Sequence, residues 1–279
     1  ALRWQDVNER VRAWMPIAVE RVNWFSTYRV HHRVAEHFRR GRAFLLGDAA
    51  HIHSPVGAQG MNTGIGDAVN LAWKLAAVLR GEASEAILDS FENERIGFAR
   101  RLVATTDRGF TAVTSTQAGQ TFVRLHLVPW LVRPAFAAPA LRRLMFRTIS
   151  QIAVHYRGSA LSSGRAGRIA GGDRLPWVGD NFIPLNRLAW QAHVYGAATA
   201  PVQAACADLR IPLLEFPWRP QASAAGLARD AVYLVRPDGY VGLAQQRGDA
   251  AALAQYWNSR LLATQGGDGV GAHGPAGRD

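Results

Sequence analysis

The clearest hydrophobic periodicity in the chain begins near residue 63, where apolar positions recur at intervals of three and four residues. This spacing places them on one face of a helix, and Gly81 is expected to end that helix. A second helix is predicted over 84–108, with most of its charges opposite its apolar side chains, and a third helical region over 119–156 is interrupted by prolines. The side chains predicted to be buried are Val69, Leu71, Ala72, Leu75, Ala76 and Leu79 in the first helix, and Ile87, Leu88, Phe91, Ile96, Phe98 and Leu102 in the second.

Short apolar runs predict strands before these helices. The run 43–47 is bounded by glycines and predicts a buried strand, while the alternation of apolar and polar residues over 21–32 predicts another. A short helix is expected over 5–14, and a basic helix or turn over 33–42.

The pattern changes after a Gly- and Ser-rich stretch, 162–172, which we interpret as a linker. Beyond it, short strands alternate with short helices, which is typical of an α/β fold, and two strands flank the turn Arg-Pro-Asp-Gly at 236–239. The Gly-rich tail, 264–279, is predicted to be disordered. The strands are predicted over 186–196, 211–218 and 230–245, and the helices over 201–210 and 249–263.

The composition excludes several classes of protein. The chain has 279 residues, enough for one or two domains with a buried core. Its single cysteine, Cys206, permits neither an intrachain disulfide nor a Cys-based metal cluster. No charge-free apolar run reaches the roughly 18 residues of a membrane-spanning helix. The N-terminus is too polar for a signal peptide, so we expect no membrane partner and a cytoplasmic location.

The net charge of +11 comes almost entirely from arginines that are scattered through apolar patterns. No helix-turn-helix, zinc-finger or RNA-binding signature accompanies them, so no nucleic-acid partner is expected. A diffuse attraction to an anionic substrate is the consequence that we expect from this charge.

The segment 47–70, GDAAHIHSPVGAQGMNTGIGDAVN, joins a predicted strand to a predicted helix. Asp48 follows the carboxyl end of the strand, where α/β sheets bind ligands, and its carboxylate can accept hydrogen bonds from hydroxyl groups. The first turn of the helix offers free N–H groups that favour an electron-rich partner. The negative charge of Asp67 interacts favourably with the helix dipole there. An ordinary Gly-rich turn with Asp48 as a cap is the alternative. The glycines that leave the backbone bare for a flat ligand are Gly57, Gly60, Gly64 and Gly66.

Several histidines and one tyrosine are candidates for chemistry. His51 and His53 form a His-x-His pair, but two ligands are too few for a metal site, so no metal is expected. We expect His51 to make structural hydrogen bonds instead. Tyr28, His31 and His32 could transfer protons to a substrate, but nothing in their spacing orients them, and the catalytic residues stay unassigned.

Residues 41–75 resemble the second flavin-binding motif of the class A flavoprotein aromatic hydroxylases, the family of para-hydroxybenzoate hydroxylase. They contain, in order, Gly-Asp-Ala-Ala-His, Pro, Gly-x-x-Gly-x-Asn and Asp-Ala-x-Asn-Leu. Two further segments, 90–95 and 155–162, resemble later parts of the same family. The resemblance implies that Asp48 binds the ribityl chain of FAD and that backbone N–H groups at the helix start face the flavin ring. The cofactor-binding residues that it implies are Gly47, Asp48, Pro55, Gly60, Met61 and Asn62.

The resemblance also implies an activity, namely FAD-dependent monooxygenation of an aromatic, phenolic or polyketide-like, substrate. In this family NAD(P)H reduces the flavin, and O2 forms a C4a-hydroperoxide that hydroxylates the ring. Epoxidation, Baeyer–Villiger insertion and the choice between NADH and NADPH stay open, as does a homodimer. A noncatalytic fragment or assembly module is the alternative function.

The domains implied by the resemblance form a partial hydroxylase. Residues 1–40 would end a substrate-binding domain, 41–161 would form the C-terminal part of the FAD-binding domain, and 173–263 resemble a thioredoxin-like α/β domain. That domain is expected to be redox-inactive because Cys206 has no partner for a Cys-x-x-Cys motif. The family's first G-x-G-x-x-G fingerprint, which binds the ADP half of FAD, has no credible counterpart here. A preceding segment or another chain is expected to supply it.

Overall fold

The computed structural model describes residues 4–6, 20–27, 31–53, 59–114, 117–123, 126, 128, 130 and 136–260. No helix in these ranges is both long enough and apolar enough to cross a membrane. The α-helices are α1 Gly60–Leu79, α2 Asp89–Thr114, α3 Ala118–Phe122, α4 Pro139–Ile149, α5 Ala200–Asp208, α6 Pro220–Ala225 and α7 Ala250–Arg260. The strands are β1 Arg33–Val34, β2 Arg39–Arg40, β3 Ala43–Phe44, β4 His51–Ile52, β5 Ser163–Ala166, β6 Ile169–Ala170, β7 Gln191–Tyr195, β8 Leu213–Phe216, β9 Val232–Val235 and β10 Val241–Gln245.

The N-terminal unit packs α1 and α2 against two small antiparallel pairs, β1 with β4 and β2 with β3. The prediction of a buried strand over 43–47 is wrong in extent. Only Ala43–Phe44 forms a strand, which pairs with β2, and Leu45 is 41% exposed because this two-stranded hairpin packs on α2 through Phe44 and, among the described residues, has no further layer over its other side chains. The buried apolar residues are Phe38, Ala50, Leu71, Trp73, Ala83, Ile87, Leu88, Phe91, Ala99 and Leu161.

The remaining N-terminal predictions have mixed outcomes. Residues 20–27 form no strand, which corrects the alternation-based prediction over 21–32. The segment 33–42 contains two short strands and a turn rather than a helix. Of the helix predicted over 5–14, the described residues form only the 3-10 turn Trp4–Asp6, and the rest lies outside the described ranges. The tail 264–279 also lies outside them.

The predicted extent of α1 is confirmed, and its predicted buried face is confirmed in part, since Leu71 is buried and Leu75 packs against the core. Gly81, with φ +72°, follows its C-terminus as expected. Of the apolar side chains assigned to the core, Val69 and Leu79 are exposed, and Leu79 is 85% exposed. The inward face combines apolar side chains with polar ones that have buried partners, and its residues are Thr63, Asp67, Asn70, Leu71, Trp73 and Lys74.

The C-terminal unit is a mixed six-stranded sheet in the order β6-β5-β10-β9-β7-β8. Along the chain its main part runs β7-α5-β8-α6-β9-β10-α7, with β7 parallel to β8 and antiparallel to β9. Two apolar clusters fill the core of this unit. The linker interpretation of 162–172 is wrong, because β5 pairs in parallel with β10 and β6 extends the sheet edge. Backbone pairing, which composition does not show, turns this Gly-rich stretch into strands.

A buried charge cluster joins the two units. Lys74 of α1 donates to Glu94 of α2 over 2.8 Å, and both side chains are fully buried. Trp73 donates its indole N–H to Asp238, in the turn between β9 and β10. Burial lowers the pKa of Lys74 to about 8, although the adjacent Glu94 carboxylate opposes that shift. The cluster therefore fixes α1 and α2 against the C-terminal sheet.

Candidate functional site

The Gly47–Asp48 pair forms a tight turn that is anchored to α1. Gly47 begins the 3-10 helix Gly47–Ala49 with φ +57°, a conformation that favours glycine. Its backbone N–H donates to Oδ2 of Asp67 over 3.0 Å. Asp48 follows at the surface with an exposed side chain. The anchored turn therefore presents a carboxylate to solvent at a fixed place beside the helix.

Two glycines let this turn approach the helix closely. A Cβ placed on Gly64 would lie 3.4 Å from the Cα of Gly47, and one on Gly47 would lie 3.8 Å from the Cα of Gly64. Both are ordinary contact distances, so the two backbone segments approach each other about as closely as one Cβ permits, and the positive φ of Gly47 separately favours glycine there. The glycine spacing in the sequence thus serves backbone packing at Gly64 as well as access at the helix start.

Asp67 is the centre of the hydrogen-bond network beneath the turn. Besides the Gly47 N–H, it contacts Nε2 of His51 at 2.7 Å and accepts from Nε of Arg95 at 2.6 Å. Burial of Asp67 opposes its ionisation, but the His51 hydrogen bond, the Arg95 charge and the Gly47 N–H outweigh it, so its pKa lies below its ordinary value. The buried carboxylate ties the β4 strand, the turn and α2 to one point of α1.

Arg95 extends this network towards the C-terminal unit. Its guanidinium donates to the hydroxyl of Tyr156 over 2.9 Å and to the carbonyl of Thr63 over 3.1 Å. It crosses α1 beside Gly66, where an added Cβ would lie 3.1 Å from its Nη2. Gly66 therefore makes room for the arginine.

The first turn of α1 keeps donors available. The first N–H bonded within the helix is that of Thr63, which donates to the carbonyl of Gln59. The preceding N–H groups of Gly60, Met61 and Asn62 have no acceptor within the helix, as at any helix start. Met61 is 75% exposed and Asn62 is also exposed, so their backbone lies near the surface. The helix start is thus an amide-lined edge with a partial positive charge.

A cavity of about 420 Å³ lies beside this edge, against the C-terminal unit. Asn62 and Gly66 line it on α1, and Tyr156, Arg174 and Tyr240 line it on the opposite side. Gln151 closes one end of the helix start by donating to Gln59 and Thr63. The start of α1 therefore borders open volume, and Gln151 lies on the lining of the same cavity.

The structure brings together most of the predicted site residues. Gly47 and Asp48 pack against the first turns of α1, which begins with Gly60, Met61 and Asn62. Pro55, and with it Gly57 and Tyr28, lies outside the described ranges. The expectation that His51 makes structural hydrogen bonds is confirmed by its contact with Asp67.

The sequence reasoning missed Arg95, Glu94 and the full role of Asp67. The sequence accounts for Asp67 by the helix dipole alone, whereas the structure buries its carboxylate among three hydrogen-bonding partners. Glu94 and Arg95 lie in a helix whose charges were expected to be solvent-exposed, and both are buried. A sequence signal existed in the resemblance of 90–95 to the family, but spacing alone did not show which charges turn inward.

The donor set fits FAD on two observations. The exposed carboxylate can accept hydrogen bonds from a polyol, and the free helix start beside it can face an electron-rich ring. A Cβ on Gly60 would meet, among the described residues, only the His53 ring at 3.8 Å, so the helix start is not filled by described side chains. Asp48 would hold the polyol, and the N–H groups from Gly60 to Asn62 would face the ring.

Comparison with known proteins points to the same class. Residues 2–106 match the family described as FAD binding domain. The chain is 41% identical over 159 residues to 6-methylpretetramide 4-monooxygenase of Streptomyces rimosus, covering 56% of this chain and 28% of that relative. It is 32% identical to tetracenomycin A2 monooxygenase-dioxygenase of Streptomyces glaucescens, covering 92% of this chain and 48% of that relative. Monooxygenases are thus among its relatives.

A solved structure shares the fold. The OxyS anhydrotetracycline hydroxylase from Streptomyces rimosus aligns with a TM-score of 0.65 and 27% identity, covering 83% of this chain and 47% of that one. The chain thus spans about half the length, or less, of these relatives. The match of residues 2–106 assigns FAD as the cofactor of this segment.

Proposed function

We propose that this chain forms the isoalloxazine side of the FAD site in a flavin-dependent monooxygenase that hydroxylates an aromatic, phenolic or polyketide-like substrate. The observation that carries the proposal is the Gly47–Asp48 turn, fixed by the Gly47 N–H to Asp67 and set against the open start of α1. The FAD-binding match and the monooxygenase relatives support it.

The site residues act by binding and orienting. The exposed Asp48 carboxylate accepts hydrogen bonds from the ribityl hydroxyls of FAD. The N–H groups of Gly60, Met61 and Asn62, together with the positive end of α1, stabilise negative charge on the pyrimidine edge of the ring. Pro55 would lie beside the flavin and the substrate. When bound, FAD supplies the redox chemistry, taking a hydride from NAD(P)H and activating O2 for transfer to the substrate.

Rigid support makes this orientation possible. Arg95, His51 and the Gly47 N–H all bind the single carboxylate of Asp67, so the turn and the helix start cannot separate without breaking buried charged hydrogen bonds. A preorganised donor set stabilises developing charge without having to reorganise. Asp67 and Arg95 therefore act as positioning residues for the flavin edge.

We further propose that the C-terminal unit is thioredoxin-like and without redox activity. Its strand order β8-β7-β9-β10, with one helix after each of the first two strands and α7 at the end, supports the first point. The single cysteine supports the second, because Cys206 is buried and burial raises the pKa of its thiol. The role proposed for this unit is packing or subunit contact, which leaves a homodimer open.

The remaining assignments are proposals of the same kind. Residues 1–40 would end the substrate-binding domain, with O2, NAD(P)H and a small aromatic substrate as partners and the cytoplasm as location. A noncatalytic module stays the competing function. The two differ in whether the protein binds flavin.

The deciding experiment is a titration of the purified protein with FAD, followed by absorbance near the flavin bands and by quenching of flavin fluorescence. Saturable binding with a perturbed flavin spectrum supports the proposal. NAD(P)H-dependent O2 consumption in the presence of phenolic compounds then tests the activity. A colourless protein that binds no added FAD supports the noncatalytic module.

A further inference from the structure

A second and larger cavity, of about 780 Å³, opens between α4 and the C-terminal sheet. This volume lies within the range of small-molecule sites. Two of its walls come from different parts of the chain: one from α4 with the segment that follows it, the other from the chain between β6 and Trp177. Its most unusual feature is its arginines, which are Arg143, Arg147, Arg157, Arg168 and Arg174. We call this cavity the arginine cleft.

The positive charge of the arginine cleft is largely uncompensated. Asp173 is the acidic residue that lines it, and Arg157 already binds that carboxylate through two hydrogen bonds of 2.7 and 3.0 Å. Asp173 also accepts the backbone N–H of Ala170. The other four arginines form no ion pair with any residue in the described ranges. A concave surface with such an excess attracts and concentrates anions.

The chemistry of the lining narrows the choice of anion. Guanidinium groups bind phosphate through paired N–H donors, and several arginines together suit a group that carries more than one negative charge. Trp177 lies on the same wall and is 72% exposed, and Phe182 lies near it on the lining. Exposed aromatic rings beside arginines stack readily on nucleobases. We infer that the arginine cleft binds the diphosphate of a nucleotide, with its base against Trp177.

The arginine cleft also adjoins the candidate flavin site. Val154 and Arg174 line both this cleft and the smaller cavity beside the start of α1. A long ligand held by its diphosphate in the cleft can therefore extend towards Asn62. Nicotinamide dinucleotides are the ligands of this class that the reaction would consume. Their assignment to the cleft rests on the proposed function, whereas the diphosphate site does not.

The test is calorimetric titration of the protein with ADP, NADPH and inorganic pyrophosphate, with and without saturating riboflavin, which carries the ring and ribityl chain of FAD but no diphosphate. Arg147→Gln/Arg174→Gln removes one arginine from each wall, and among the described residues neither side chain has an ion-pair or hydrogen-bond partner. We expect this variant to bind ADP and NADPH roughly tenfold or more weakly. The matched control, Arg80→Gln/Arg101→Gln, removes the same charge from exposed positions outside the cleft and should stay within about twofold of the parent protein.

A third variant tests the aromatic part. Trp177→Ala should abolish the preference for ADP over pyrophosphate while leaving pyrophosphate affinity unchanged. The inference is overturned if ADP does not bind, if the control variant loses as much affinity as the cleft variant, or if pyrophosphate binds as tightly as ADP. Failure of NADPH to displace ADP overturns the dinucleotide assignment. Riboflavin binding measured on the same samples reports on the flavin site alone and separates these results from a failure of the proposed function.

Discussion

Arg236 and Glu94 form a two-pronged ion pair across the boundary between the two units. Nη1 and Nη2 of Arg236 lie 2.7 and 2.9 Å from Oε1 and Oε2 of Glu94, and both side chains are fully buried. Arg236 also contacts Asp238, and its guanidinium lies over the rings of Trp73 and Tyr156. The C-terminal sheet is therefore coupled to the helices that carry the candidate flavin site.

Arg236→Met should lower the free energy of unfolding by about 3–5 kcal/mol, because it leaves Glu94 and Asp238 buried with fewer partners. Urea denaturation measures this change. Arg229→Met is the matched control, since Arg229 pairs with Asp230 at the surface and should contribute less than about 1 kcal/mol. Equal effects of the two substitutions would contradict a structural role for the buried pair.

Asp67→Asn should flatten the acid limb of the stability profile. The folded-state pKa of Asp67 lies below its ordinary value, so the unfolded chain takes up the proton first as pH falls. Its contribution is therefore complete above the unfolded-state pKa of about 3.9 and is lost as pH falls through the folded-state pKa. Melting temperatures measured from pH 7 to pH 3 should fall less steeply in the variant, which starts from a lower stability. Parallel curves would contradict the assignment.

Asp48→Ala should weaken FAD binding by about 1.5–3 kcal/mol, or roughly 10- to 100-fold in Kd, because a charged acceptor for ribityl hydroxyls is lost. The fold should be unaffected, since Asp48 is exposed. Fluorescence titration with FAD gives the measurement. Asp180→Ala, which removes an exposed carboxylate from the C-terminal unit, serves as the control and should leave the affinity unchanged. Unchanged affinity in Asp48→Ala would remove the ribityl role.

Gly60→Val should abolish FAD binding while leaving the protein folded. The branched side chain would occupy the space in front of the helix start, yet the nearest described atoms to its Cβ belong to the His53 ring at ordinary contact distance. Gly158→Val, at a position with no atom within 4 Å of the added Cβ, is the control and should bind FAD normally. Circular dichroism and FAD titration distinguish loss of binding from loss of fold. Normal flavin binding by Gly60→Val would show that the ring lies elsewhere.

Gly172→Ala should lower the free energy of unfolding by about 3 kcal/mol or more. Gly172 has φ +87°, and its added Cβ would lie 2.4 Å from backbone atoms of Tyr156 and Arg157. Gly179→Ala tests positive φ alone, because Gly179 has φ +55° and no atom within 4 Å, and about 1 kcal/mol is expected there. Thermal melts of both variants decide whether the segment after β6 is packed structure or a connection that tolerates substitution.

The sequence was informative where structure depends on neighbouring residues. The apolar spacing and Gly81 located α1, and Pro-Asp-Gly located the turn between β9 and β10, because helix periodicity and turn geometry are local properties. The Gly-Asp motif likewise indicated a turn beside the start of α1. Gly47 of this motif contacts Gly64 of α1, and the two lie close together because few residues separate the turn from the helix.

Only the tertiary structure decided which side chains face inward and which segments pair. Asp67 and Lys74 can be buried on α1 because α2 supplies an oppositely charged partner for each. Arg95 pairs with Asp67, and Glu94 pairs with Lys74. Residues 163–170 form strands because β10 offers an edge to pair with. Burial of a polar group is favourable only when a partner compensates for lost hydration. The sequence by itself determined the extent of α1, the turn before β10 and the flavin-type motif. The packing of distant segments determined the buried hydrogen bonds that hold the Gly47–Asp48 turn against α1.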